Sequence, residues 1–386
     1  MRPRLCTIKA VLLLTCFSPA QTTSDHAKAG RPAPLQLSVL VPPSAFRGAG
    51  QWHLCYEIYM NNLSPYSWTV QTIETMSDKG AILLNVSGTG LDGVLFHPAI
   101  SPGKQGEPAA GIAPGESVVA FLWIDLPAGA PIPARLQHKF TLQKPGEENN
   151  YFIDAPATAV STQLPEIVSP LRGKNWVAAN GPANTSAHRR ALIVIDGTPH
   201  VAQRYAIDWV QIGADNQTYT GDPKDNRSYH CFGVEAHAIA DAVVVEVKDG
   251  IPENTPGANS RAVPITLETV AGNHVNLDLG GGVYAMYAHL QPGSIRVKVG
   301  DKVTPGQVIG LVGNTGNSTE PHLHFQLMNQ NSPLASDGIP YTFPSYKLAA
   351  TMSGDTEKAP KVNRLPAPEA RHGEIPMENE VVDFEQ

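Results

Sequence analysis

The sequence predicts an all-β protein made of two domains. Glycine and proline occur 34 times each in 386 residues, which favours short strands joined by turns. No segment shows the period of an amphipathic helix. Because the chain is longer than one typical domain, we expect an N-terminal immunoglobulin-like β-sandwich followed by a Gly-rich antiparallel β-sheet domain.

The first predicted element is a leader at residues 1–20. Arg2, Arg4 and Lys9 precede a short apolar run, and small residues follow up to Ala20. This order is typical of a secretory signal peptide, and the apolar run is too short to span a bilayer. We therefore expect a protein that is secreted or periplasmic, with no transmembrane segment.

The first domain is expected at 35–163. Short runs of alternating apolar and polar residues are separated there by Pro, Gly, Asn and Asp, which is typical of an antiparallel sandwich. The predicted strands are Leu35–Val41, His53–Tyr59, Trp68–Met76, Ile82–Val86, Ser117–Leu126, Leu136–Leu142 and Tyr151–Ile153. No catalytic cluster occurs among them, so the role of this domain stays open.

A proline-punctuated linker is expected at 164–175, followed by the second domain at 176–346. The remaining residues, 347–386, form an acidic, Pro-rich tail with few large apolar groups. Such a segment buries little surface to offset its ordering entropy. We expect it to be disordered or a loose strap that ends in a short strand at Glu380–Phe384.

Charge and cysteine content exclude some classes of function. The 28 basic and 35 acidic residues give a formal net charge of −7, which repels phosphate backbones and argues against nucleic acid as a partner. Cys6 and Cys16 lie in the predicted leader, so only Cys55 and Cys231 are left outside it. Two cysteines do not make a disulfide framework, and we expect buried free thiols.

Histidines mark the second domain as the functional one. In a strand, residues two apart lie on one face, so His322 and His324 point into the same site. His289 ends another strand-like run, and the Gly-rich segment 313–319 lies between His289 and His322 in the sequence. Neutral imidazole both binds metal and titrates near physiological pH, so this pattern indicates a metal site with proton-transfer groups.

The ordered blocks 272–275, 287–290, 300–310 and 313–325 resemble the lysostaphin-type, or LytM-like, zinc endopeptidases that cleave peptidoglycan peptides. The resemblance implies a zinc peptidase fold for 176–346. It also implies that Asp208 and His324 are zinc ligands, and that His289 and His322 position and deprotonate water.

One position departs from that family. A histidine usually stands four residues before the aspartate, but here the residue is Arg204, whose guanidinium cannot coordinate zinc. Two strand-like runs, 189–195 and 201–209, flank the turn residues Asp196-Gly197, and pairing them would bring His188 opposite Ile207 or Asp208. We therefore predict His188 as the third ligand.

His200 is the second candidate, although an extended strand would hold it far from Asp208. The predicted site has zinc on His188, Asp208 and His324, with an open fourth position for water. The predicted function is hydrolysis of peptidoglycan stem or cross-bridge peptides. Two alternatives stay open: a metal-free protein that binds wall peptides or activates an amidase, and a protease for glycine-rich proteins outside the wall.

Overall fold

The computed structural model describes residues 35–98, 110–257, 259, 261–353 and 361–385, and the predicted leader lies outside these ranges. The described residues confirm the all-β class. Helical structure is confined there to α1 (Ala187–Arg190) and two 3-10 turns, Gly88–Gly93 and Asn226–Ser228. No helix in the described part of the chain is long and apolar enough to cross a membrane.

Two antiparallel sheets form the N-terminal part. Their strands are β1 (Leu35–Ser38), β2 (Phe46–Gly48), β3 (Gln51–Asn62), β4 (Trp68–Ser77), β5 (Ile82–Ser87), β6 (Leu95–Phe96), β7 (Gly111–Ile112), β8 (Ser117–Leu126), β9 (Arg135–Gln143) and β10 (Asn150–Ala159). One sheet has the order β1-β3-β8-β6 and the other β10-β9-β4-β5. Buried residues of both sheets, such as Ile58 and Phe140, share one core.

We call strands β1–β10 the N-terminal sandwich. All seven strands predicted for it are present, with ends that differ by a few residues. The sequence did not predict β2, β6 and β7, because strands of two or three residues are too short to show an alternating pattern. The immunoglobulin-like assignment and the domain bounds stay predictions.

One large sheet, which we call the main sheet, and two small two-stranded sheets, β12-β13 and β15-β20, form the described second part. Chain order continues with β11 (Gly173–Ala179), β12 (Ile193–Ile195), β13 (Thr198–His200), β14 (Ile207–Gln211), β15 (Glu235–His237), β16 (Ala242–Lys248), β17 (Asn273–Gly280), β18 (Val283–Leu290), β19 (Lys302–Val303), β20 (Val308–Leu311), β21 (Leu323–Met328), β22 (Gly338–Ile339), β23 (Tyr346–Ser353), β24 (Lys361–Arg371) and β25 (Glu380–Phe384). The main sheet has the order β19-β16-β17-β18-β21-β14-β11-β25-β23-β24, and β22 pairs with β21.

The two faces of the main sheet differ. Trp209, Tyr287 and Phe325 point to one face and pack into a large apolar core. Because side chains alternate along a strand, their neighbours Asp208 and His324 point to the opposite face. The functional candidates therefore lie on a face that carries only small apolar clusters.

The predicted loose tail is wrong. Within the described residues, Tyr346–Ser353 and Lys361–Arg371 form β23 and β24, and the predicted short strand at Glu380–Phe384 is present as β25, which lies between β11 and β23. Val381, Val382 and Phe384 are buried. These three side chains bury enough apolar surface to order a segment whose average composition is polar.

Two other segments differ in local structure from what the sequence pattern predicts. The predicted linker 164–175 includes the start of β11, and its Ile167 and Leu171 are buried in the large core. The predicted pairing of the runs 189–195 and 201–209 is wrong: the hairpin around Asp196-Gly197 is short, with β12 paired to β13, and the second run supplies β14 of the main sheet instead. The helical turn α1 takes up the start of the first run, and a loop at 201–206 precedes β14 in the second. Cys55 and Cys231 are buried free thiols, as predicted.

Candidate metal centre

The register of three strands defines the centre of the site. Asp208 of β14 pairs with His324 of β21, which in turn pairs with Ala288 of β18. Cross-strand partners lie close together on one face. As a result, His324 Nδ1 lies 2.8 Å from Asp208 Oδ1.

His289 joins this face because the backbone is irregular there. Regular alternation would place it on the opposite face from Ala288, but its φ is +63° and the β17–β18 register shifts between Asn273 and Val275. Such a bulge redirects the side chain. The His289 ring centroid thus lies 4.7 Å from that of His322 and 5.8 Å from that of His324.

His188 reaches the site from outside the main sheet. It lies on the single helical turn α1 and is buried. Its Nε2 is 3.2 Å from Asp208 Oδ2, and its ring centroid is 4.9 Å from that of His324. His200, the second candidate, contacts Asp337 instead, with Nδ1 3.3 Å from Oδ2.

Hydrogen bonds on the far side of each ring fix which nitrogen faces the centre. His188 Nδ1 bonds to the Ala206 carbonyl (3.3 Å), His322 Nδ1 to the Glu320 carbonyl (2.8 Å) and His289 Nδ1 to the Thr315 carbonyl (2.7 Å). A carbonyl only accepts, so Nδ1 carries the hydrogen in these rings and Nε2 keeps its lone pair in the neutral form. A hydrogen bond from the second ring nitrogen to a carbonyl is the usual support of a metal-binding histidine.

His324 has the reverse arrangement. Its Nε2 donates to Gln326 Oε1 at 2.9 Å, which leaves the Nδ1 lone pair towards Asp208. The ring nitrogens of His188, His322 and His324 that carry lone pairs therefore face the carboxylate oxygens of Asp208 at 2.8 to 3.3 Å. Acceptors in such proximity need a cation between them, either protons or a metal ion.

The charges agree with a cation site. Burial would raise the pKa of Asp208, but the imidazoles of His188 and His322 outweigh it and hold that pKa well below its usual value. For His188 and His322, burial alone would lower the pKa of the ring. The Asp208 carboxylate raises it by more, so the pKa of both rings lies above its usual value. Burial, together with the nearby rings of His322 and His324, lowers the pKa of His289. Asp208 is thus an ionised carboxylate that is largely, but not fully, buried.

The donor set fits zinc. One ligand atom each from His188, Asp208 and His324 lies within 4.8 Å of the others, and two nitrogens with one carboxylate oxygen are donors that zinc accepts in catalytic sites. His289 and His322 border this group without belonging to it. Arg204 points away, towards Glu57 and Asp337.

Two supporting residues were not predicted. Gln326 holds His324, and it could have been recognised because it lies two residues further along the same strand face. Asn180 donates from Nδ2 to Asp208 Oδ2 at 2.9 Å. It follows β11, and nothing in the local sequence relates it to the aspartate.

A small open cavity of about 40 Å³ lies beside the histidines. His289 and His324 contribute to its wall, together with apolar side chains that include Met286 and Leu334.

Comparison with known proteins agrees with this geometry. Residues 232–336 match Peptidase family M23. This part of the chain is similar to M23 peptidases, including lysostaphin. The matched range includes His289, His322 and His324, whereas His188 and Asp208 precede it.

Similar proteins share only part of their length with this chain. Glycyl-glycine endopeptidase ALE-1 of Staphylococcus capitis is 45% identical over 73 residues, which are 18% of this chain and 20% of that protein. Peptidoglycan DD-endopeptidase ShyA of Vibrio cholerae is 47% identical over 64 residues, 17% of this chain and 14% of that protein. The chain therefore spans a fifth or less of the length of these relatives.

Among solved structures, the catalytic domain of lysostaphin from Staphylococcus simulans is 26% identical. The likeness covers 43% of this chain and 88% of that chain, with a TM-score of 0.24.

Proposed function

We propose that the protein is a secreted zinc metalloendopeptidase that hydrolyses amide bonds in peptidoglycan peptides. The observation that carries the proposal is the convergence of His188, Asp208 and His324 within 4.8 Å, bordered by His289 and His322, in a chain that matches Peptidase family M23 over residues 232–336. Two metal-binding nitrogens, one carboxylate and two further imidazoles suit metal-assisted hydrolysis.

In this proposal His188 Nε2, His324 Nδ1 and Asp208 hold the zinc. When bound, zinc supplies Lewis acidity that polarises the scissile carbonyl and makes water more acidic. His289 and His322 border the three ligands, each with Nδ1 hydrogen-bonded to a carbonyl and Nε2 left for proton transfer. Between them they take a proton from the attacking water and give one to the leaving amine.

The proposed substrates are stem or cross-bridge peptides of peptidoglycan. The relatives named above are a glycyl-glycine endopeptidase and a peptidoglycan DD-endopeptidase. A location outside the cytoplasm suits such a substrate and matches the predicted leader at 1–20. The net charge of −7 supports peptide rather than nucleic acid as the partner.

Metal analysis combined with a cleavage assay tests the proposal. We expect one zinc per wild-type chain and release of new amino groups from purified peptidoglycan. His188→Ala and His324→Ala should each lose zinc and cleavage. His200→Ala and His237→Gln are the matched controls, because these histidines contact Asp337 and the Gly306 carbonyl, not Asp208.

A folded wild-type chain that binds no zinc and cleaves no wall peptide would contradict the proposal. Binding of wall peptides without cleavage would favour the metal-free binder, and stimulation of a separate amidase would favour the activator. Cleavage of glycine-rich proteins in preference to wall peptides would change only the substrate.

A further inference from the structure

The proposed third ligand lies on an element that cannot hold itself in place. His188 belongs to the four-residue turn α1, whereas Asp208 and His324 lie on paired strands of the main sheet. A single helical turn has no stability of its own in water. The position of the His188 ring therefore depends on the contacts that fix α1.

The strongest of these contacts come from the N-terminal sandwich. Arg189, the residue after His188, is fully buried and donates to the carboxylate of Glu57 in β3. It also donates to the Tyr56 carbonyl at 3.0 Å and the Leu122 carbonyl at 3.4 Å, and its guanidinium stacks over the Phe121 ring at 4.6 Å. All of these partners belong to β3 or β8.

The same carboxylate binds the arginine that stands at the family's usual ligand position. Arg204 donates from Nε to Glu57 Oε1 at 3.1 Å and from Nη2 to Glu57 Oε2 at 2.7 Å. Burial opposes ionisation of Glu57, but the two arginines lower its pKa to about 2. Arg204 has a second partner in Asp337, at 3.0 Å.

We propose that Arg189 is the positioning residue of the metal centre: the Glu57 carboxylate holds Arg189, and through the backbone of α1 this holds His188 towards Asp208. The N-terminal sandwich is then part of the metal centre and not a detachable spacer. One carboxylate, that of Glu57, therefore binds both Arg204, which stands where the family usually has a histidine ligand, and Arg189, the neighbour of the proposed ligand His188. The inference rests on the proposed function, because it takes His188 as a zinc ligand.

Zinc affinity of full-length variants tests it. Arg189→Met removes the hold on α1 and leaves Glu57 paired with Arg204. Arg47→Met is the matched control, since it removes another ion pair between the two parts of the chain, Arg47 Nη2 to Glu374 Oε1 at 3.3 Å, without contact to α1. Affinity is measured by competition with a chromophoric chelator, and the melting temperature of each metal-free variant is recorded beside it.

We expect Arg189→Met to weaken zinc binding by about tenfold or more, as loss of a ligand's support usually does. With cobalt as the probe, its visible spectrum should move towards that of His188→Ala. Arg47→Met should keep the wild-type affinity and spectrum even where its melting temperature falls. Should Arg189→Met not fold, Arg189→Lys keeps the charge, loses the paired donors to the two carbonyls, and should show a smaller loss of affinity.

Wild-type affinity in folded Arg189→Met, or in Arg189→Lys if only that variant folds, would overturn the inference. Equal weakening by Arg47→Met at an equal melting temperature would also overturn it, because the effect would then be general destabilisation. A wild-type chain that binds no zinc would instead contradict the proposed function. The two failures are thus distinguishable.

Discussion

At the scale of single residues, the chemistry depends on which ring nitrogen faces Asp208. His188, His289 and His322 present Nε2 and His324 presents Nδ1, and in each case a hydrogen bond on the far side of the ring decides it. The residue identities suggest imidazole chemistry, but the orientation comes from carbonyl and amide oxygens that the sequence does not single out.

A substitution at His289 can test proton transfer separately from metal binding. Asparagine tolerates positive φ, so His289→Asn keeps the bulge at φ +63° and removes the titrating ring. Because His289 lies outside the three-ligand group, zinc content should stay at the wild-type level while turnover falls by about 10²- to 10⁴-fold. Wild-type turnover in this variant would exclude His289 from the reaction.

A second histidine, far from the site, links stability to pH. His138 accepts from the Tyr56 hydroxyl at 2.8 Å between the two sheets of the N-terminal sandwich, and burial lowers its pKa to about 4. The folded state thus binds fewer protons than the unfolded state, whose histidine has a pKa near 6.5. Its contribution to stability is complete above pH 6.5 and is lost as the pH falls towards 4.

Denaturant unfolding at pH 7.5 and pH 5 measures this effect. We expect His138→Gln, which keeps an acceptor but does not titrate, to lose about 2 kcal/mol less than the wild type between these pH values. Identical pH dependence in the two proteins would contradict a neutral, buried His138.

At the scale of secondary-structure elements, the C-terminal strand β25 supports the strand that carries Asp208. Phe384 packs edge-on against Trp209, the neighbour of Asp208, with ring centroids 5.3 Å apart. A second contact joins Phe384 to Phe343 at 5.5 Å. A segment that composition alone marks as a tail is therefore part of the core beneath the site.

Removal of this side chain should be costly. Phe384→Ala deletes a buried ring that is only 4% exposed, so the free energy of unfolding should fall by about 3–5 kcal/mol. Glu385→Ala, whose side chain is 72% exposed, is the control and should change it by less than about 0.5 kcal/mol. If chemical denaturation gives equal stability for both variants, β25 does not dock as described.

At the scale of the whole molecule, the N-terminal sandwich and the main sheet share a buried ionic cluster. Glu57 comes from β3, and its partners Arg189 and Arg204 come from segments more than 130 residues later in the chain. Loss of one partner from a buried ion pair leaves charge without compensation. The two parts of the chain should therefore lose stability together.

Hydrogen exchange across the chain can follow both parts at once. We expect Glu57→Gln to lower the free energy of unfolding by about 3–5 kcal/mol and to reduce amide protection in β3 and in β14 to the same extent. Glu148→Gln, at an exposed position, should change neither. Loss of protection confined to the N-terminal sandwich would show that the two parts unfold independently.

Three features could be predicted from the sequence alone: the all-β class, the seven main strands of the sandwich and the common face of His322 and His324. These features follow from side-chain alternation and turn chemistry, which act over a few residues. The tertiary structure alone decided the course of the chain at α1, the docking of β25 and the partners of Arg204. They depend on contacts between distant segments, such as the hydrogen bond from the Tyr205 hydroxyl to the Cys55 carbonyl, which joins residues 150 positions apart. Local patterns do not encode such contacts, because packing and buried charge choose among many segments of similar composition.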